Sequence, residues 1–166
     1  KSNKMLKQSI PMMMSSSVLL IMSWADSLMI GSFIGEYEVG IYNVAVKVAL
    51  LISFTLGAVN SISAPKISQA YNNNQILKFK NIVIQATKTI FYSSLPAISI
   101  IFIFPEFLLS FFGKEFLLAK SALLILAFSQ VINAMSGSVG IILNMTGKEK
   151  VFRNILVVAL LINISF

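Results

Sequence analysis

Two residues of opposite charge lie deep inside two long apolar stretches of the sequence. Asp26 lies in the apolar run 10–34, Lys47 lies in the run 39–64, and Gly35-Glu36-Tyr37-Glu38 joins the two runs. If the chain turns at the middle of this tetrapeptide, an antiparallel helical hairpin places both charges about 12–15 Å below the turn, at the same depth. A charge inside a membrane is costly unless it is paired or faces water. We therefore expect Asp26 and Lys47 to come within a few ångströms of each other or to share one hydrated cavity.

Two interpretations of these charges stay open. In the first, Asp26 and Lys47 belong to a substrate or ion pathway, in which Asp26 pairs with Lys47 or takes up a proton or Na⁺. In the second, the two residues form a buried ion pair that only holds the hairpin together, although such pairs add little net stability. Asn43 is four residues before Lys47 and shares its helix face, and Asn60 lies nearer the inner end of the same run. The candidate pathway thus comprises Asp26, Asn43, Lys47 and Asn60.

The composition indicates an integral membrane protein. Apolar residues make up 57% of the 166 residues and charged residues only 11%, whereas a soluble domain carries about 25% charged residues. The apolar runs are long enough to cross about 30 Å of hydrocarbon as helices, which satisfy their own backbone hydrogen bonds in lipid. We predict an all-α, polytopic transmembrane bundle of about five spanning helices within one unit, residues 1–166. Their expected bounds are 10–34, 39–64, 82–104, 116–143 and 151–166.

The composition also excludes several kinds of chemistry. The chain contains no Cys and no His, so thiol chemistry, disulfides and His-based acid–base catalysis are absent. The net charge of +7 does not indicate nucleic-acid binding, because the cations cluster at the ends of the apolar runs. We expect no bound cofactor beyond a coupling ion, H⁺ or Na⁺.

The charge distribution predicts the orientation of the helices. The N-terminus and the segments 66–81 and 144–153 are basic, whereas the Glu36/Glu38 turn has no cation. The positive-inside rule then places the N-terminus and both basic segments in the cytoplasm. Pro65 is expected to end the second helix, and Pro96 should kink the third near residues 90–92. Since the sequence starts with Lys1 and stops within an apolar run, we expect it to be an internal piece of a larger transporter.

The order of short motifs resembles a known family. Ser9-Ile-Pro is followed by Asp26-Ser-Leu-Met-Ile-Gly and Val39-Gly-Ile-Tyr-Asn-Val-Ala, and later by Phe112-Gly-Lys-Glu-Phe and Gly140-Ile-Ile-Leu-Asn-Met-Thr-Gly-Lys. This order resembles the polysaccharide biosynthesis proteins, the flippases for O-antigen and related lipid-linked oligosaccharides. Their superfamily also contains multidrug-and-toxin extruders and lipid II flippases. The resemblance implies two lobes of six helices around a central cavity, with this chain forming helices seven to eleven, in the C-terminal lobe.

The resemblance also implies a function. We expect a transporter in the cytoplasmic membrane that flips a polyprenyl-pyrophosphate-linked oligosaccharide by alternating access, with Lys47 facing the pyrophosphate. Its partners would be membrane lipids, the lipid-linked substrate and the N-terminal lobe of the same protein. A multidrug extruder is the nearest alternative, although its cationic substrates would favour carboxylates without a nearby lysine. A membrane glycosyltransferase or polymerase is the alternative from another class; it would need catalytic groups in a large loop, and the loops here are short.

Overall fold

The chain folds into helices joined by short turns, in a computed structural model that describes the backbone of residues 2–165 and the side chains of residues 9–163. No strand occurs in this part of the chain, which confirms the all-α prediction. The helices in chain order are α1 (Ser2–Phe33), α2 (Glu36–Asn72), α3 (Ile76–Ile103), α4 (Pro105–Ser110), a 3-10 helix (Lys114–Ala119), α5 (Lys120–Ser136), α6 (Val139–Met145) and α7 (Glu149–Ser165).

Four of the described helical segments are long and apolar enough to cross a membrane. They are Ser9–Phe33, α2, α3 and Lys114–Ser136. The fifth expected span, 151–166, corresponds to α7, which has 17 residues within the described part of the chain; its last expected residue, 166, lies outside that part. These helices support the prediction of a multi-pass membrane protein.

The turn between α1 and α2 lies earlier than the sequence suggested. α1 ends at Phe33 and α2 begins at Glu36, so the chain reverses at Ile34 and Gly35. Gly35 has a φ of 154°, which favours glycine. A Cβ added at Gly31 would lie 3.2 Å from a methyl carbon of Val39, so this glycine allows α1 and α2 to pack closely. Gly31 thus provides a close packing contact between α1 and α2, and Gly35 forms the turn between them.

The prediction that Pro65 ends the second helix was wrong. α2 continues through Pro65 to Asn72, for 37 residues in all. Beyond the proline, Ile67 and Ala70 are almost fully buried, so tertiary packing stabilises the continuation. At 1.5 Å per residue α2 is about 55 Å long, so its last turns extend past a bilayer core of about 30 Å. α3 likewise begins at Ile76, six residues before the expected start at residue 82.

The expected fourth helix, 116–143, is divided. It begins as a 3-10 helix, continues as α5, breaks at Gly137 and Ser138, and resumes as α6. Gly137 has a φ of +67°, and a Cβ there would lie 2.5 Å from the hydroxyl oxygen of Thr87 on α3. The break therefore depends on a residue without a side chain at a point where α3 and α5 approach closely.

The core lies between α2, α3 and α5. α2 packs mainly against these two helices, whereas α1 packs more against α7 than against α2. Small buried residues of α2, Ala45 and Ala49, allow close approach of neighbouring helices and lie beside Ile52, Ile101 and Leu123.

An exposed ion pair joins α4 to the start of α5. Lys120 Nζ lies 2.6 Å from Glu106 Oε1. This hydrogen bond and the charge of Lys120 lower the pKa of Glu106 below its usual value. Because both side chains are open to solvent, the pair adds little to stability.

Candidate transport site

Two hydrogen bonds link α1 to α2 at membrane depth. The hydroxyl of Tyr42 donates to Asp26 Oδ2 at 2.9 Å, and the hydroxyl of Ser27 donates to Asn43 Oδ1 at 3.0 Å. All four side chains are half-buried. We call these four residues the hairpin cluster. It lies about two turns of helix below the end of α1, where polar groups need partners.

Asp26 and Lys47 do not form the ion pair that was one of their two predicted arrangements, while a shared hydrated cavity stays a prediction. Both hydrogen bonds of the hairpin cluster join residues 16 apart, so Asp26 lies opposite Tyr42 and Asn43. The prediction placed the centre of the turn two residues later in the sequence than the structure does. It therefore placed the residue opposite Asp26 four positions too far along α2. Lys47 therefore lies about one helical turn, roughly 6 Å, deeper than Asp26. The only ion pair among the described side chains is Glu106–Lys120.

Lys47 is exposed on the surface of this chain. Its ammonium group makes no hydrogen bond and no ion pair with any described side chain. A lysine at this depth must either reach the membrane surface along its flexible stem or face a polar cavity. Lys47 lies about 16 Å from the turn along α2, which is a long distance for its side chain to span to the membrane surface.

Asn60 is separate from the other candidate residues. It is 17 residues beyond Asn43 on the same helix, about 25 Å along the axis. Its Oδ1 accepts a hydrogen bond from the hydroxyl of Ser138, a buried residue in the break between α5 and α6. The four predicted residues therefore lie in two parts of the bundle. Asp26 and Asn43 belong to the hairpin cluster, and Lys47 lies one turn deeper. Asn60 is hydrogen-bonded to the break between α5 and α6.

The sequence did not reveal three residues whose hydrogen bonds fix the positions of these side chains. Tyr42, Ser27 and Ser138 each supply the hydroxyl donor of a hydrogen bond between helices. The adjacent pairs Asp26-Ser27 and Tyr42-Asn43 could have been found as matching polar pairs, had the turn been placed correctly. Ser138 could have been found from its neighbour Gly137, which marks the break.

The described residues do not provide a multi-carboxylate metal site. No group of three or more acidic side chains lies close enough to hold a metal ion in the described part of the chain. The hairpin cluster offers one carboxylate, one amide and two hydroxyl groups, which suit hydrogen bonding to a polar group.

Residues 11–166 match MatE, a family defined by sequence. The chain belongs to the MatE family. Over 119 residues, 71% of this chain, it is also 27% identical to the probable low-salt glycan biosynthesis flippase Agl15 of Haloferax volcanii. This match spans 25% of the length of that relative. No solved structure matches the chain.

The MatE match covers nearly the whole chain, and the relative from Haloferax volcanii is named as a flippase. They agree with the resemblance to flippases and extruders found in the sequence. They also agree with the four helices that are long and apolar enough to cross a membrane.

Proposed function

We propose that this chain belongs to a flippase that moves a polyprenyl-pyrophosphate-linked oligosaccharide across the cytoplasmic membrane by alternating access. The name of the relative from Haloferax volcanii supports glycan biosynthesis as the setting. The chain would form most of the C-terminal lobe, and a second lobe would complete the cavity. The length of that relative, about four times the matched region, fits such an arrangement.

The observation that carries this proposal is the exposed, unpaired Lys47 at membrane depth. A diphosphate carries several acceptor oxygens and negative charge, and an ammonium group binds it as a point charge. Because Asp26 accepts its hydrogen bond from Tyr42, the carboxylate does not neutralise Lys47 directly. The positive charge therefore remains available to an anionic head group.

The hairpin cluster would bind the sugar part of the substrate. Sugars present hydroxyl groups, which donate to carboxylate and amide oxygens and accept from hydroxyl groups. The cluster lies one helical turn from Lys47, so it could contact a sugar next to the diphosphate. The exposed apolar side of α1, which includes Trp24 and Leu28, would remain in contact with lipid.

The multidrug extruder is the alternative within the same superfamily. A cationic substrate would need an accessible carboxylate to bind it. Asp26, which is half-buried, could provide that carboxylate. The nearby uncompensated Lys47 disfavours a cation in the same cavity by charge repulsion. An anionic substrate fits the charges better.

Complementation of a flippase-deficient strain tests the role of Lys47. We expect Lys47→Gln to lower surface glycan about tenfold, the loss of roughly 1.4 kcal/mol of binding, while Lys47→Arg retains most of the export. Lys66→Gln is the matched control, since it removes the same charge from the same helix near its other end. The amount of membrane-inserted protein is measured in parallel. Normal export by inserted Lys47→Gln would refute the proposed contact with diphosphate.

A further inference from the structure

The turn between α2 and α3 carries exposed apolar side chains directly beside lysines. Ile76 and Leu77, at the start of α3, are 76% and 81% exposed. Lys78 and Lys80 follow them and are exposed as well. We call residues 71–80 the α2–α3 tip. Because water is an unfavourable surrounding for two large apolar side chains, the tip suits a surface that offers apolar and negatively charged groups together.

The length of α3 places the α2–α3 tip at the surface of the membrane. α3 has 28 residues and is therefore about 42 Å long. Tilted by about 20°, the average for membrane helices, it extends about 40 Å along the membrane normal. The hydrocarbon core is about 30 Å thick, and the bilayer with both head-group layers is about 40–45 Å thick. When α3 fills the core, its first turn, with Ile76 and Leu77, lies in a head-group layer.

The aromatic residues of the α2–α3 tip are typical of this layer. The ring centroid of Tyr71 lies 5.9 Å from that of Phe79, and Tyr71 is itself exposed. Tyrosine is enriched at membrane–water interfaces, because its ring is apolar and its hydroxyl group is polar. Both rings line a cavity of about 440 Å³ together with Ile76 and the side chains of Asn72 and Asn74. The tip thus combines apolar walls with amide groups that can donate hydrogen bonds.

The exposed charges at this end of the bundle are positive in the described part of the chain. The α2–α3 tip lies beside the α6–α7 turn, because Tyr71 and Asn72 line one cavity with Thr146 and Gly147. Glu149, the acidic residue of that turn, is buried. The described lysines of these two segments are exposed and form no ion pair with a described side chain; they are Lys66, Lys78, Lys80, Lys148 and Lys150. This surface therefore attracts negative charge.

We infer that the α2–α3 tip binds the head groups of anionic phospholipids. The ammonium groups of Lys78 and Lys80 bind phosphate as point charges, and the Asn72 amide can donate a hydrogen bond to a phosphate oxygen. Ile76 and Leu77 insert beside the first carbons of the acyl chains, as the apolar face of an interfacial helix does. Basic segments next to membrane-spanning helices attract anionic lipids by the same electrostatic force.

Quenching of a fluorescent reporter by brominated lipids tests this inference. The complete protein, with any cysteine outside this chain changed to serine, carries Gln75→Cys labelled with nitrobenzoxadiazole; Gln75 is exposed. It is reconstituted in bilayers of phosphatidylcholine and phosphatidylglycerol, with the bromine on one lipid or on the other. We expect bromine on phosphatidylglycerol to quench the reporter about twofold more than the same amount on phosphatidylcholine, since each lysine near the surface attracts anionic lipid. High salt should remove this difference.

Two double substitutions distinguish electrostatic binding from apolar insertion. Lys78→Gln combined with Lys80→Gln should abolish the preference for phosphatidylglycerol, because the positive charge of the α2–α3 tip is lost. Ile76→Ser combined with Leu77→Ser should lower quenching by both lipids, because the tip then inserts less deeply.

The opposite end of the bundle supplies the matched controls. Lys114→Gln removes an exposed lysine from the 3-10 helix and should leave the reporter at residue 75 unaffected. A reporter at Tyr37→Cys, between the exposed Glu36 and Glu38, should show no preference for phosphatidylglycerol in the same bilayers.

Three results would overturn the inference. Equal quenching by the two brominated lipids would refute the preference for anionic head groups, and so would a preference that persists in the double lysine variant. Absence of quenching by either lipid would place the α2–α3 tip in water and favour a protein partner instead. If the double lysine variant fails to insert into bilayers, a preference that persists at high salt overturns the inference.

The lipid site goes beyond the proposed function and does not depend on it. The bilayers have the same composition on both sides and contain no glycan substrate. Loss of glycan export with a normal preference for phosphatidylglycerol would therefore refute only the flippase. Equal quenching by the two lipids with normal glycan export would refute only the lipid site.

Discussion

Asp26 accepts its hydrogen bond from Tyr42 in the half-buried space between α1 and α2. Hydrogen bonds to charged groups stabilise folded proteins by about 1.5–3 kcal/mol, and those between membrane helices average less, about 0.6 kcal/mol. The bond also fixes the direction of the carboxylate, which in the proposed flippase would orient a sugar hydroxyl group. This role differs from a salt bridge with Lys47, which would need the lysine to lie one turn nearer the start of α2.

Double-mutant cycles distinguish the two roles of Asp26. We expect Asp26→Asn and Tyr42→Phe to show a coupling energy of about 0.5–1.5 kcal/mol in thermal unfolding, because Tyr42→Phe removes the donor and Asp26→Asn replaces the charged acceptor of the same bond with a weaker neutral one. The pair Asp26→Asn and Lys47→Gln should be closer to additive. Tyr37→Phe, in an exposed residue at the start of α2, is the control for loss of a tyrosine hydroxyl group. Strong coupling of Asp26 with Lys47 would restore the ion-pair interpretation.

At the scale of elements, the break between α5 and α6 is the main departure from regular helix. Gly137 permits the positive φ and the close approach to Thr87, and the Ser138–Asn60 hydrogen bond ties the break to α2. Irregular backbone at membrane depth occurs where protein or water surrounds it, which is common near transport sites. We expect α6 to be able to move relative to α5 about this point.

Alanine substitutions at two glycines test the packing at the break. Gly137→Ala should destabilise the protein by about 1–3 kcal/mol, since the added methyl group clashes with Thr87 and the backbone conformation is strained. Gly57→Ala is the control, because nothing lies within 4 Å of a Cβ built at this helical position. That change should be neutral or stabilise by up to about 1 kcal/mol. Differential scanning fluorimetry of the purified protein measures both; equal melting temperatures for the two variants would contradict the proposed clash.

At the scale of the whole molecule, the arrangement of helix ends agrees with the alternation of basic segments. Met12, the end of α2 and the α6–α7 turn line one cavity, so these parts lie at the same end of the bundle. The basic segments 66–81 and 144–153 include two of these parts. The side chains of Lys1, Lys4 and Lys7 lie outside the described residues. Which end faces the cytoplasm remains a prediction from the positive-inside rule.

Cysteine labelling tests this orientation. This chain contains no cysteine, so each introduced cysteine is the only one within it. In intact cells, an impermeant thiol reagent should label Tyr37→Cys and leave Asn73→Cys unlabelled, because the positive-inside rule predicts that the first lies at an outer turn and the second at an inner one. Permeabilising the cells should expose Asn73→Cys. Labelling of Asn73→Cys from outside in intact cells would reverse the orientation.

The sequence by itself determined the membrane class, the helical architecture and the family resemblance. These follow from long apolar runs, whose length and lack of charge leave helices as the stable form in lipid. It also identified Asp26 and Asn43 as polar residues in the first hairpin. Whether Pro96 kinks α3 is still a prediction, since α3 runs without interruption from Ile76 to Ile103.

Only the tertiary structure decided which polar groups meet. The position of a two-residue turn sets the register of a helical hairpin, and moving its centre by two residues exchanges Lys47 for Tyr42 and Asn43 as the groups opposite Asp26. Packing around the buried Ile67 stabilises α2 beyond Pro65, although proline disfavours the interior of a helix. The cavity between the start of α1, the last turns of α2 and the α6–α7 turn depends on contacts between segments that are far apart in the sequence. Local composition does not specify such contacts, because they form only when separate helices pack together.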